Sequence, residues 1–295
     1  MIEIKNPNIK LKEELNQYDF NEINNLKNLC SEIDKTSLKL ELDYKLSKVK
    51  LKDKCINNIN EFMYYNDNEL IGYIGICQFG GDTVEVNGMV HPDFRRNGIF
   101  KKLFFLVKDE WYKRNSQNML LLSDRSSTLG IQFIKDNSDI YDHSEYEMFL
   151  KHDVKQEESA YTVKLRNSTI NDAKEIALQN SIYFDIEYNG EEYSMTEEDA
   201  SFIYIAEVNT KVVGKVHLEI SNCVGGIFGL GVLPEYRSKG YARQILNISI
   251  NKLKEKGTKE IMLQVSVTNK NALNLYKSCG FEETSTMDYY KLSKQ

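Results

Sequence analysis

The stretch Val232-Leu233-Pro234-Glu235-Tyr236-Arg237-Ser238-Lys239-Gly240-Tyr241-Ala242 reads as a strand end, a short basic loop and a glycine opening a helix. Ala242, Ile245, Leu246, Ser249 and Leu253 then keep the spacing of one helix face. A helix start presents backbone N–H groups without intrahelical partners and the positive end of the peptide dipoles, so it accepts a diphosphate; glycine and alanine let the backbone approach it closely. Arg237 and Lys239 add positive charge at the rim.

The same pattern occurs earlier in the chain. Gly98 lies 142 residues before Gly240, and the same shift lays Gly72, Val90, Pro92 and Arg95 on Gly214, Val232, Pro234 and Arg237 without a gap. Phe100, Leu103, Phe104, Val107 and Trp111 fall on the helix face named above, Met119–Leu122 on Ile261–Gln264, and Leu150 on Leu292. One unit containing a βαβ crossover therefore occurs twice. The polar run 151–159 keeps no such pattern, which places a linker there and predicts an N-terminal domain over 1–152 and a C-terminal domain over 160–295.

Each copy reads as helices, a hairpin, a strand ending at Val90 or Val232, a helix from the glycine, a strand, a second helix and a last strand. The hairpins are Glu61–Tyr65 turning at 66–68 and Tyr204–Val208 turning at 209–211. Residues 1–60 read as helices whose order the pattern leaves open. Strands separated by crossover helices predict a mixed sheet, α/β or α+β in class.

The bulk numbers narrow the function classes. The 295 residues are 41% hydrophobic and 28% charged, enough apolar material for two cores. A net charge of −6 argues against nucleic acid or an anionic membrane as partner. No apolar run approaches the roughly 18 residues of a membrane span, and the polar start Met1–Lys5 does not resemble a secretion signal, so a cytoplasmic chain is expected. The five cysteines and four histidines are scattered without ligand spacing, so no metal is expected. No phosphate-binding G-x-x-x-x-G-K-[ST] occurs.

Arg237-x-x-Gly240-x-Ala242 after a strand, followed by Asn269-x-x-Ala272-x-x-Leu275-Tyr276-x-x-x-Gly280-Phe281, resembles the GNAT superfamily of N-acetyltransferases. Each half is a weak pattern; the two in this order, one strand apart, are specific. The resemblance covers 161–292 well and 61–150 in degraded form, and two-copy members of the mycothiol synthase type have the same layout. It implies two tandem domains, each a mixed sheet whose central parallel strands splay apart around acetyl-CoA as cosubstrate. It also implies that backbone groups of Leu230 and Val232 pair with the pantetheine arm, that the Val232 amide polarises the thioester carbonyl, and that the amides of Arg237, Ser238, Lys239, Gly240, Tyr241 and Ala242 hold the pyrophosphate, with Asn269 part of the same site.

Acetyl transfer to an amine needs a donor for charge on the carbonyl oxygen, a base for the amine and an acid for the thiolate. Tyr276 is the candidate acid, since a phenol titrating near pH 10 is protonated at neutrality. Glu219 is the candidate base with His217 beside it, and at most one of the two is expected to face the cleft; a water relay is the alternative. In the first copy Val90, Arg95, Arg96 and Gly98 leave CoA docking open, but Ser127, Ile134, Ser138 and Asp139 replace Asn269, Tyr276, Gly280 and Phe281. Isoleucine cannot protonate a thiolate, so catalysis is expected in the C-terminal copy, with the two halves packed on each other. The seven acids in 185–199 point to a cationic small-molecule or peptide amine as acceptor. A non-catalytic acyl-CoA sensor is the rival reading.

Overall fold

The computed structural model describes residues 4–48, 58–79, 81–138, 140–152, 161–184 and 195–294. In chain order the elements are β1 (Pro7–Lys12), α1 (Gln17–Asp34), α2 (Leu42–Lys48), β2 (Glu61–Asn66), β3 (Glu69–Cys77), β4 (Thr83–Val90), α3 (Ile99–Lys113), β5 (Asn118–Asp124), α4 (Thr128–Asn137) and β6 (Ile140–Leu150). There follow β7 (Lys164–Asn167), α5 (Ala173–Phe184), α6 (Glu197–Phe202), β8 (Ile203–Val208), β9 (Lys211–Ser221), β10 (Val224–Val232), α7 (Tyr241–Glu255), β11 (Glu260–Ser266), α8 (Lys270–Ser278) and β12 (Phe281–Ser293).

The chain divides into two compact units, Met1–Glu145 with Ser285–Gln295, and Tyr146–Thr284. The expected division at 152 and 160 therefore differs in two places. The second unit starts within β6, before the polar run, of which 153–159 lie outside the described residues. The C-terminal segment belongs to the first unit, because Met287–Ser293 of β12 pairs antiparallel with Asp124–Asn118 of β5 and satisfies that strand's backbone groups. Each copy thus gives the end of its last strand to the unit built on the other copy.

In the first unit the strand order is β1-β2-β3-β4-β5-β12. Alternation along β2 sends Phe62 and Tyr64 to one face and Met63 and Tyr65 to the other. On the first face α3 buries Leu103, Val107 and Trp111 against Ile74, Val84 and Val86. On the second, α1 buries Phe20, Ile23 and Leu26 against Met63, Tyr73 and Met89. Burial of each such side chain contributes about 1.5–3 kcal/mol. A capping box starts α1: Asn16 accepts from the Asp19 amide at 2.9 Å, and Asp19 accepts from the Asn16 amide at 3.1 Å. Strand β1 was not expected in the helical reading of 1–60; its residues are largely exposed at the edge beside β2, and that pairing, absent from any local pattern, makes it a strand.

In the second unit the strand order is β6-β11-β10-β9-β8-β7, with α7 burying Ile245, Leu246, Ile250 and Leu253 against Val216, Leu218, Ile227 and Leu263. The opposite face is covered by α5 and α6, through Ile176 and Ala200 on Ile203 and Ile205. Asn209 and Thr210 form the hairpin turn with φ of 48° and 66°, so Lys211 is already strand.

Both units have a parallel pair that opens. Pairing of β4 with β5 covers Thr83–Val86 and stops, and pairing of β10 with β11 covers Val224–Ile227 and stops, although β4 and β10 continue to Val90 and Val232. The splay expected of each sheet is therefore present, and it leaves the ends of the two middle strands facing a gap.

Candidate functional site

The loop after each gap has the same backbone path. A short 3-10 turn at Pro234–Tyr236 leads to Arg237 in extended conformation, Ser238 at φ 60° and Gly240 at φ 78° capping α7. In the first unit Pro92–Phe94, Arg95, Arg96 at φ 66° and Gly98 at φ 74° repeat it. A Cβ on Gly98 or Gly240 would meet no atom within 4 Å, so each glycine borders open space in front of a helix start. Arg237, Ser238, Lys239 and Gly240 are exposed, and Tyr241 and Ala242 begin α7, whose first N–H groups have no acceptor inside the helix. These features fit the diphosphate of an acyl-CoA.

The two arginines differ in charge environment. Arg95 is held in a fork by Asp34, at 2.8 and 2.6 Å, which raises its pKa further and neutralises it at the cleft mouth. Arg237 has no carboxylate partner among the described residues. A diphosphate would therefore meet more free charge in the second unit.

The gap of the second unit has a feature the first lacks. Strand β10 carries a bulge between Phe228 and Gly231 opposite β9, with Gly229 at φ 52°, whereas β4 pairs with β3 in unbroken register. The extra residue leaves Gly229 and Leu230 without a register partner on β9 at the gap, ahead of the buried Val232. The signal was in the sequence: Gly225, Gly226, Gly229 and Gly231 inside one strand mark a bulge.

On the α5 side of β9, Lys215, His217 and Glu219 share one face, because residues two apart on a strand point the same way. The expectation that at most one of His217 and Glu219 faces inward misapplied that period; His217 Nε2 lies 3.9 Å from Glu219 Oε2. Burial, with Lys215 nearby, lowers the His217 pKa to about 4, so the ring is neutral at pH 7. Sequence reasoning missed Lys215 altogether: its side chain is sequestered under Tyr183 and Phe184, and burial lowers its pKa to about 8.

Tyr276 lies in the core of the second unit beside Phe281, ring centroids 6.2 Å apart. Its hydroxyl has no hydrogen-bond partner among the described residues and is not among the fully enclosed unpartnered atoms, so it retains access to open space. Burial pushes its pKa up to about 12, which keeps the phenol protonated. The side chain of Asn269 caps α8, accepting from the Ala272 amide at 3.1 Å. Ser127 caps α4 in the same way, from Gly130 at 3.3 Å, so this pair of the repeat conserves a helix start.

In the first unit a cleft of about 430 Å³ runs along the gap, lined by Val90, Arg95, Arg96, Gly98, Phe100 and Asn87 among others. Phe100 stacks edge-on against Phe133 at 4.7 Å, and the position matching Tyr276 is the buried Ile134. Room for a ligand persists there without a proton donor at that position. Among the described residues no group of His, Cys, Asp or Glu is arranged to hold a metal ion, and no helix is long and apolar enough to cross a membrane.

Comparison with known proteins agrees with this geometry. Residues 170–281 match the sequence model of the Acetyltransferase (GNAT) family. Over 148 residues, 43% of this chain and 84% of the relative, the sequence is 29% identical to an N-alpha-acetyltransferase of Sulfurisphaera tokodaii. The fold matches a GCN5-related N-acetyltransferase from Sphaerobacter thermophilus with a TM-score of 0.73, at 16% identity, over 97% of this chain and 95% of that one. It also matches a tandem GNAT protein from the clavulanic acid biosynthesis pathway, TM-score 0.66 at 14% identity, over 97% and 98% of the two chains. Residues 170–281, most of the second unit, thus match the GNAT family of acetyltransferases, and the fold of the whole chain is similar to that of a tandem GNAT protein.

Proposed function

We propose that the chain moves an acetyl group from acetyl-CoA to a primary amine by direct attack within a ternary complex, and that the second unit does the chemistry. One observation carries the assignment to that unit: the bulged strand β10, the free Arg237 loop and the Tyr276 hydroxyl occur together there, while the first unit has an unbroken β4, a neutralised Arg95 and Ile134. Acetyl-CoA supplies the thioester whose acyl carbon the amine attacks. The residues of this chain then divide the work. Amides from Arg237 to Ala242 hold the diphosphate, with Leu230 and Val232 along the pantetheine arm and the Val232 amide aimed at the carbonyl oxygen, where a fixed donor in a dry site is most effective. Tyr276 donates its proton to the departing sulfur.

Glu219 and His217 face the acceptor side together, and a water relayed by Glu219 is the reading for the base. Val90, Arg95, Arg96 and Gly98 make the first unit a CoA-docking or structural half. The reducing cytoplasm is its proposed location. Most of the acidic run proposed to attract a cationic acceptor, 185–194, lies outside the described residues, and Asp199 serves as a cap partner for Thr196 at the start of α6. Thiol release from acetyl-CoA over a panel of amines tests the proposal. Turnover lost in Tyr276→Phe with CoA binding kept supports it; no turnover by the unaltered chain on any amine favours a non-catalytic acyl-CoA-binding role.

A further inference from the structure

Lys215 is 3% exposed, yet none of the described carboxylates lies within ion-pairing distance of it. Among the described residues its Nζ reaches one acceptor, the Gly229 carbonyl at 3.4 Å, a long contact for a charged donor. The rings of Tyr183 and Phe184 cover it, with centroids 5.7 and 5.9 Å away. Beside it on the same face, the His217 Nε2 is fully enclosed and has no hydrogen-bond partner among the described residues. An unpaired ammonium buried in this way costs several kcal/mol, and a buried imidazole nitrogen without a partner adds to it. Nothing in the packing of β9 requires either group, since the core side of the strand is filled by Val216 and Leu218.

Position decides what this arrangement is for. Lys215 pairs with Gly231 across the ladder and Gly214 with Val232, so Lys215 is one strand away from the bulge at which the thioester is read to lie. Paired residues on neighbouring strands are about 5 Å apart at Cα. The side chain points to the α5 and α6 face, away from α7 and its diphosphate loop. The cation is therefore on the acceptor side of the gap. An acceptor that is itself only a cation would be repelled there, and one with an anionic group next to its amine would find the missing counter-charge.

We propose that Lys215, with His217 beside it, binds a carboxylate of the acceptor, so that the amine acetylated belongs to an amino-acid-like molecule. This rests on the reading of the β10 gap as the acetyl-transfer site. The lysine's depressed pKa of about 8 agrees with an ammonium that has no anion beside it among the described residues.

The test uses the full chain and binding instead of turnover. Calorimetric titration with N-acetylglycine, N-acetylleucine and N-acetylphenylalanine is compared with titration of their primary amides, for the unaltered chain and for Lys215→Met. At least one acid should bind about tenfold more tightly than its amide. Lys215→Met, which removes a buried charge and keeps the volume, should erase that difference and leave CoA affinity unchanged. Equal binding of acids and amides, binding of neither, or a preference that survives Lys215→Met overturns the proposal, as does acetylation of Lys215 itself by acetyl-CoA in a mass spectrum. Acetyl transfer to the matching free amino acids is read separately: carboxylate-selective binding without transfer to any amine removes the enzymatic assignment and leaves this subsite standing.

Discussion

The Nε of Arg237 donates to the Val232 carbonyl at 3.0 Å, and Arg95 repeats the bond to Val90 at the same 3.0 Å. This link folds the loop back on the end of the splayed strand, so the helix start and the strand end of each unit are set by one side chain. It explains why an arginine recurs at this place in both copies even though only one of the two keeps a free charge.

Gly240→Val should raise the dissociation constant for acetyl-CoA by about tenfold or more. The valine meets no atom of the protein, so the cost within the chain is that of a left-handed residue, about 1–2 kcal/mol. The larger effect is a side chain standing where the diphosphate approaches. Gly98→Val carries the same backbone cost and should leave acetyl transfer within about twofold, since it alters the other unit. Calorimetry and a turnover assay on both variants check this; equal loss of turnover in the two would place chemistry in both units.

Tyr276→Phe should leave unit stability within about 0.5 kcal/mol, because the hydroxyl has no partner among the described residues to lose. Its turnover should fall by about 10²–10⁴, the usual share of a general acid. The folded pKa of about 12 means the proton stays on through pH 10, so the unaltered enzyme should show no alkaline decline from this group below that pH. A pH–rate profile to pH 10 reads it.

Lys215→Met should stabilise the second unit at pH 7. The folded pKa of about 8 lies below the ordinary 10.5, so between those values the unfolded chain holds a proton that the folded chain lacks. Stability from this group therefore rises with pH across that window, and the penalty is full below about pH 8. That penalty is on the order of a few kcal/mol. Denaturant unfolding of the variant and the unaltered chain should differ most at pH 7 and converge near pH 10.5; a constant difference would show that the ammonium is not buried in solution.

Gly280→Ala should destabilise the second unit by more than about 2 kcal/mol. Gly280 sits at φ 93°, and a Cβ there would lie 2.0 Å from the His152 carbonyl oxygen, a backbone atom that cannot swing aside. The carbonyl of Gly280 also accepts from the Lys151 amide at 2.9 Å, so the strain reaches the ladder beside it. Thermal unfolding followed by circular dichroism checks the loss.

Much of this site was legible in the chain before any coordinates. The loop from Val232 to Ala242, its copy around Gly98, the helix faces and the hairpins are local patterns, written in residues a few positions apart. Local patterns survive folding because helix starts, turns and periodic faces are satisfied by near neighbours. The bulge in β10 was legible as well, through its glycines, and was passed over. At Asn269 the structure adds a role that the motif did not disclose, since its side-chain oxygen caps α8.

What the sequence alone determined is the repeat, the mixed-sheet class and the glycine-capped loop before each long helix, since each depends on spacing along the chain. Tertiary structure decided which unit each last strand completes, because Met287–Ser293 reads as a strand anywhere and only the open edge of β5 selects it. It also decided the fate of Lys215, a residue whose charge looks ordinary on a polar strand. Its sequestration comes from Tyr183 and Phe184 on α5, some thirty residues away, and distance along the chain hides that kind of contact.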